Sequence, residues 1–121
     1  MRQPAFGWQL GGATLDPAAA PSRTILFESE LMILSLLAGG ASEVPPHLHT
    51  RHDEFGCMLE GAGQLWIAEE VLELVPGATW AIPQGTPHRG VFTAAFRVVA
   101  WFTPWDDPAQ PDRIECVMPS Q

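Results

Sequence analysis

Between Pro45 and Gly61 the chain reads PPHLHTRHDEFGCMLEG, and three of its four histidines stand within those seventeen positions beside acidic residues and a cysteine. His47 and His49 are two apart, so on a β-strand both side chains leave the same face. At about 3.3 Å of rise per residue their Cα atoms are roughly 6.6 Å apart, a spacing at which two imidazoles meet one ion. Glu54 follows five positions after His49 and returns to the same place from the next strand if residues 50–53 form the connection. His88, further downstream, is the fourth candidate ligand. Three neutral imidazoles and one carboxylate suit one divalent transition metal ion (Fe, Mn, Ni, Co or Zn) rather than Ca or Mg. A six-coordinate ion so held keeps positions open for water, dioxygen or a bidentate substrate, whereas a structural zinc site is closed by four ligands, commonly thiolates.

His52 lies between the ligands, flanked by Arg51 and Asp53. It reads either as a turn histidine partnered by Asp53 or as the candidate catalytic residue, an acid–base group behind the ligands and near a substrate. Cys57 and Cys116 are the only cysteines, and each reads as a small buried hydrophobe with a reduced thiol.

These residues need strands to position them. From Arg23 onward TILFES, LMILSLLA, PPHLHT, EFGCMLE, GQLWIAE, VLELVPG, TWAIP, HRGVF, FRVVAWF and RIECVM succeed one another, rich in branched or aromatic residues and bounded by Gly, Pro or acidic turns. Short strands at even spacing predict an all-β antiparallel sandwich or barrel. Twelve prolines and eleven glycines leave no room for a long helix. Residues 1–22, rich in Ala, Gly and Pro, read as an irregular arm, clamped through Phe6, Trp8 or Leu10, ahead of one barrel domain over 23–121. The turn Pro83-Gln84-Gly85-Thr86-Pro87 delivers His88 at the start of a strand.

The net charge of −8 argues against nucleic acid and anionic membrane surfaces as partners. No apolar stretch approaches membrane-spanning length and no signal-peptide run opens the chain, so a cytoplasmic location is expected. With neither Lys nor Tyr, Schiff-base and tyrosine acid–base chemistry are excluded.

With its glycines and proline the pattern is His47-x-His49-x4-Glu54-x6-Gly61, then a fifteen-residue spacer, then Gly77-x5-Pro83-x-Gly85-x2-His88. This closely resembles the two signature motifs of the cupin superfamily. The resemblance implies a double-stranded β-helix, a jelly-roll barrel with its metal inside the mouth. Two positions depart from the family pattern: the leading glycine, Gly40, stands one place further from His47, and Phe92 occupies the place where asparagine often closes the second motif.

Strand parity with Glu54 turns Met58 inward, and parity with His88 turns Gly90 and Phe92 inward and Arg89 out. Met58, Trp66, Phe92 and Trp101 are the pocket candidates, while Trp66, Trp80 and Trp101 have no ligand on their strands to fix their facing. Aromatic walls and few polar groups suggest a small apolar or aromatic substrate and disfavour a sugar phosphate, which would call for several arginines inside. The leading expectation is a metal-dependent enzyme of the dioxygenase kind. The alternatives are a non-redox isomerase, lyase or cyclase with His52 as base, and a non-catalytic sensor that holds metal or a small ligand. Outward apolar residues such as Cys57 and Leu59 suggest a twofold homodimer.

Overall fold

The computed structural model describes residues 15–119, so Phe6, Trp8 and Leu10 of the arm lie outside the described residues. Ten strands follow in order: β1 (Ser22–Glu28), β2 (Ile33–Gly39), β3 (Ser42–Leu48), β4 (Asp53–Glu60), β5 (Gly63–Ile67), β6 (Glu70–Leu74), β7 (Thr79–Ile82), β8 (His88–Phe92), β9 (Phe96–Thr103) and β10 (Ile114–Glu115). Each of the ten apolar runs in the sequence contributes one of them. They form two five-stranded antiparallel sheets, ordered β1-β2-β9-β4-β7 and β10-β3-β8-β5-β6.

The inner faces enclose Met58, Leu65, Leu74, Ile82, Phe96, Val98 and Ala100. Alternation along β9 shows why: Phe96, Val98 and Ala100 are buried, while Trp101 turns to the outer face and stacks on Phe55 of β4 at 5.7 Å between ring centroids. The arm enters over β2. Gly40 N–H donates to the Ala19 carbonyl at 2.8 Å, and a Cβ on Gly40 would lie 2.1 Å from the Pro17 carbonyl oxygen, so this crossing needs glycine.

A register shift and a turn set the ligand-bearing strands. Pro45 and Pro46 cannot donate to a ladder, and the β3–β8 register shifts between Val44 and His47 before the direct pair His47↔His88 is formed. Gly85 adopts φ +77°, a backbone region that costs other residues strain, and its N–H donates to the His49 carbonyl at 2.7 Å. The Pro83–Pro87 turn thus both starts β8 at His88 and holds the backbone of His49 just past the end of β3.

Candidate metal centre

His47 and His88 face each other across β3 and β8, with ring centroids 4.1 Å apart. His49 adds a third imidazole, and one ring nitrogen from each of the three lies within 4.8 Å of the others. Glu54 reaches the cluster from the opposite sheet, its Oε1 3.2 Å from His49 Nε2 and 3.8 Å from His88 Nε2. The four residues singled out by spacing are therefore gathered at one end of the space between the sheets.

The tautomers are set by the backbone. His47 Nδ1–H donates to Pro45 O at 2.8 Å, His88 Nδ1–H to Thr86 O at 2.9 Å, and His49 Nδ1–H to Asp112 O at 2.5 Å. A carbonyl only accepts, so each Nδ1 carries a proton, and in the neutral ring Nε2 keeps its lone pair. Nε2 of His49 and of His88 are buried without a hydrogen-bond partner, a costly arrangement unless something accepts those lone pairs. The donor set thus fits a metal ion.

Electrostatics agree with that fit at His47 and His88. Burial pulls the His47 pKa down to about 4 and also lowers that of His88, keeping both rings neutral as ligation requires. Burial acts the same way on His49 and is its largest single influence, but Glu54 and Asp112 together outweigh it and the pKa rises, so an ion there competes with a proton. Burial would raise the Glu54 carboxyl, yet His49 and the other imidazoles hold it below its ordinary value.

The cluster lines a cavity of about 300 Å³ whose other walls include Leu65, Leu74, Trp80, Phe92, Val98 and Phe102. Phe92 lines this chamber and stacks on Phe96 at 3.7 Å. The other pocket candidates stand elsewhere. Met58 is fully buried in the core behind the chamber. Trp66 lies on the outer face of its sheet under the Arg89 guanidinium, 3.6 Å from the ring centroid, and Trp101 lies on the outer face of the other sheet. Among the described residues, the tryptophan that does line the chamber is Trp80. Its indole rests on Gly56, where a Cβ would come within 2.2 Å of Cε2. Gly56→Ala is expected to push the indole off its seat, costing about 1–3 kcal/mol of stability, and to shift tryptophan fluorescence while metal content stays at the parent level. Thermal denaturation with emission spectra checks this.

His52 is also placed differently from a group facing substrate. It does not line the chamber but a separate cavity of about 50 Å³ behind His49, against which its ring packs at 4.5 Å. Its partner is not Asp53, whose Oδ1 accepts from Gln84 N–H. Its Nδ1 lies 3.6 Å from Asp112 Oδ2 and 3.9 Å from Asp106 Oδ2, and neither ring nitrogen makes a hydrogen bond.

Sequence reasoning missed three residues here. Asp112 supplies the carbonyl for His49, and its carboxylate accepts from Thr50 Oγ1 at 2.8 Å and from Arg51 N–H. Arg23 and Arg113 both line the chamber, which is therefore less purely apolar than composition suggested.

The sequence profile of the cupin domain matches residues 33–102, more than half of the chain. The protein belongs to the cupin family. Among solved structures it is similar to KdgF from Halomonas sp., with 24% identity, a TM-score of 0.70, and coverage of 81% of this chain and 89% of that one. An RmlC-like cupin from Shewanella frigidimarina NCIMB 400 is 16% identical with a TM-score of 0.72, over 89% of this chain and 97% of that one. TT1209 from Thermus thermophilus is 28% identical with a TM-score of 0.61, over 76% of this chain and 90% of that one. No curated protein matches the chain.

Proposed function

We propose that this cupin is a metal-dependent enzyme of the dioxygenase kind, acting on a small, largely apolar or aromatic substrate. One observation carries the reading: three imidazoles with their Nε2 lone pairs kept free, and one carboxylate, stand in the wall of a 300 Å³ chamber rather than in a closed core. His47, His49, Glu54 and His88 would hold the ion, and a redox-active ion there supplies the means to bring substrate and dioxygen together. The chain's own contribution is to fix the ligand tautomers through three carbonyls, to keep His47 and His88 neutral, and to exclude water with Leu65, Leu74, Phe92 and Phe102. His52, shut away from the chamber, supports the ligand His49 by packing, which weighs against the reading in which it is the base of an isomerase.

The test is oxygen uptake by protein reconstituted anaerobically with Fe(II), offered catechol and a small alkyl thiol as probes of chelating and thiol substrates. Uptake that depends on iron and on one of these probes is expected. Uptake equal to that of free Fe(II) at the same concentration, with either probe, would contradict the proposal. Two apolar residues of the edge strand β1, Ile25 and Phe27, remain exposed in the single chain, which supports a homodimer as the working assembly. Light scattering at micromolar concentration checks that state.

A further inference from the structure

Two cavities of this molecule meet. The histidine-lined chamber shares Arg23, Leu37, Val44, Phe92 and Arg113 with an outer groove of about 340 Å³, which is lined further by Pro21, Ser22, Ser42, Glu43, Pro45 and Phe96. The two cavities adjoin along these five residues, with the histidines on the inner side. The only charged residues common to both linings are Arg23 and Arg113; Glu115 pairs with Arg113 at its Nε, and Glu54 and Asp106 act on Arg23 through their charge. Glu43 lies in the groove alone, and Glu54 lies in the chamber beside the imidazoles.

Arg23 belongs to β1 and Arg113 immediately precedes β10, the strands that edge the two sheets. Both guanidiniums are fastened on one side. Arg23 Nε donates to Oγ of the fully buried Ser35 at 2.9 Å, and its guanidinium carbon sits 5.0 Å from the Phe102 ring centroid. Arg113 Nε donates to Glu115 Oε1 at 3.0 Å. In each case Nε makes the hydrogen bond, and among the described residues the terminal amino groups make none, although Glu54 and Asp106 act on Arg23 through their charge. Two parallel N–H donors on a tethered planar group match the two oxygens of a carboxylate end-on.

We infer that Arg23 and Arg113 form a carboxylate-binding gate, so that the ligand of this chamber is a small organic acid whose apolar body lies between the gate and the metal ligands. The inference rests on reading the chamber as a substrate site and narrows its substrate to the acid class. A protein of net charge −8 repels anions at long range, so the local cationic pair is what would admit one. The absence of further cations in the chamber sets the anion at the junction and the apolar part inside.

The test compares acids with their neutral amides on the Zn(II)-loaded protein, by titration calorimetry: benzoate against benzamide, cyclohexanecarboxylate against its amide, and hexanoate against hexanamide. At least one acid is expected to bind about tenfold or more tightly than its amide, the range of a charge-assisted hydrogen-bonded pair. Arg23→Gln and Arg113→Gln are each expected to weaken that acid about tenfold, with amide binding and zinc content unchanged, and Arg23→Lys to restore part of the loss. Arg113, at a strand edge and exposed, serves if the Arg23 variant is unstable. Failure of every acid to outbind its amide would overturn the inference. So would a preference that survives both substitutions, since the ion alone would then hold the carboxylate. Zinc supports no oxygen uptake, so the result is independent of the dioxygenase reading: either can fail while the other stands.

Discussion

Replacing His88 with alanine is expected to strip the protein of bound divalent metal. The ring is buried, paired across the strands with His47, and anchored to Thr86 O, so no neighbouring donor can move into its place. Tetrahedral zinc sites in small domains are worth about 10–16 kcal/mol over four ligands, so one ligand accounts for roughly 3–4 kcal/mol, or about 100- to 1000-fold in affinity. The parent protein is expected to gain thermal stability on adding Zn(II) and to lose it with EDTA, because the ion binds only the folded chain. His88→Ala should show neither response. Metal content after gel filtration, measured beside the two melting curves, checks both parts.

Asp112→Ala is expected to lower stability and metal affinity together, although Asp112 is not a ligand. Its side chain is 2% exposed and accepts hydrogen bonds from Thr50 Oγ1 and Arg51 N–H, while its own N–H donates to Asp106 Oδ2 at 2.8 Å. Truncation leaves two part-buried donors without their acceptor, at about 1–3 kcal/mol, or on the order of 5–10 °C in Tm. The Asp112 carbonyl that orients His49 would lose its anchor, and second-layer losses of this kind weaken metal binding by about 10- to 100-fold. The carboxylate also ties stability to acid. Burial would raise its pKa, but hydrogen bonds from Thr50 and Arg51 overcome that and hold it at about 2. A depressed carboxyl contributes stability that is complete above its unfolded pKa, near 3.9, and lost as pH falls through about 2. Between pH 5 and 2 the parent should therefore lose more stability than Asp112→Asn, which denaturant titrations at several pH values would show.

The difference between Asp112 and His88 explains what the sequence could disclose. Ligands cluster in sequence because adjacent strands present them: His47, His49 and Glu54 within eight positions, and His88 at the end of a Pro-x-Gly turn. Their chemistry is visible in residue type and spacing alone. The strands were equally legible, since ten apolar runs bounded by turn residues correspond to the ten strands. Asp112 acts through its carbonyl and through contacts sixty-one to sixty-three positions away, which no local pattern records.

Side-chain facing was legible only where a strand carries a ligand to set its phase. Phe92 shares β8 with His88, and it lines the chamber. Trp66 and Trp101 sit on β5 and β9, which hold no ligand, and both turn outward, whereas Trp80 of β7 lines the chamber. Register shifts in β1, β3 and β4 further prevent counting parity from one strand to the next. The arginine gate is the extreme case. Arg23 and Arg113 are ninety positions apart, on the first strand and just ahead of the last, and only closure of the two sheets over one opening brings them to a common junction.

Whether His47, His49, Glu54 and His88 together hold one divalent ion is tested most directly by the anomalous difference density of crystals grown from protein loaded with Co(II). A single strong peak is expected in the chamber, about 2.0–2.2 Å from Nε2 of His47, His49 and His88 and from a carboxylate oxygen of Glu54. A loaded crystal with no peak there, or with its peak on other residues, would contradict the assignment.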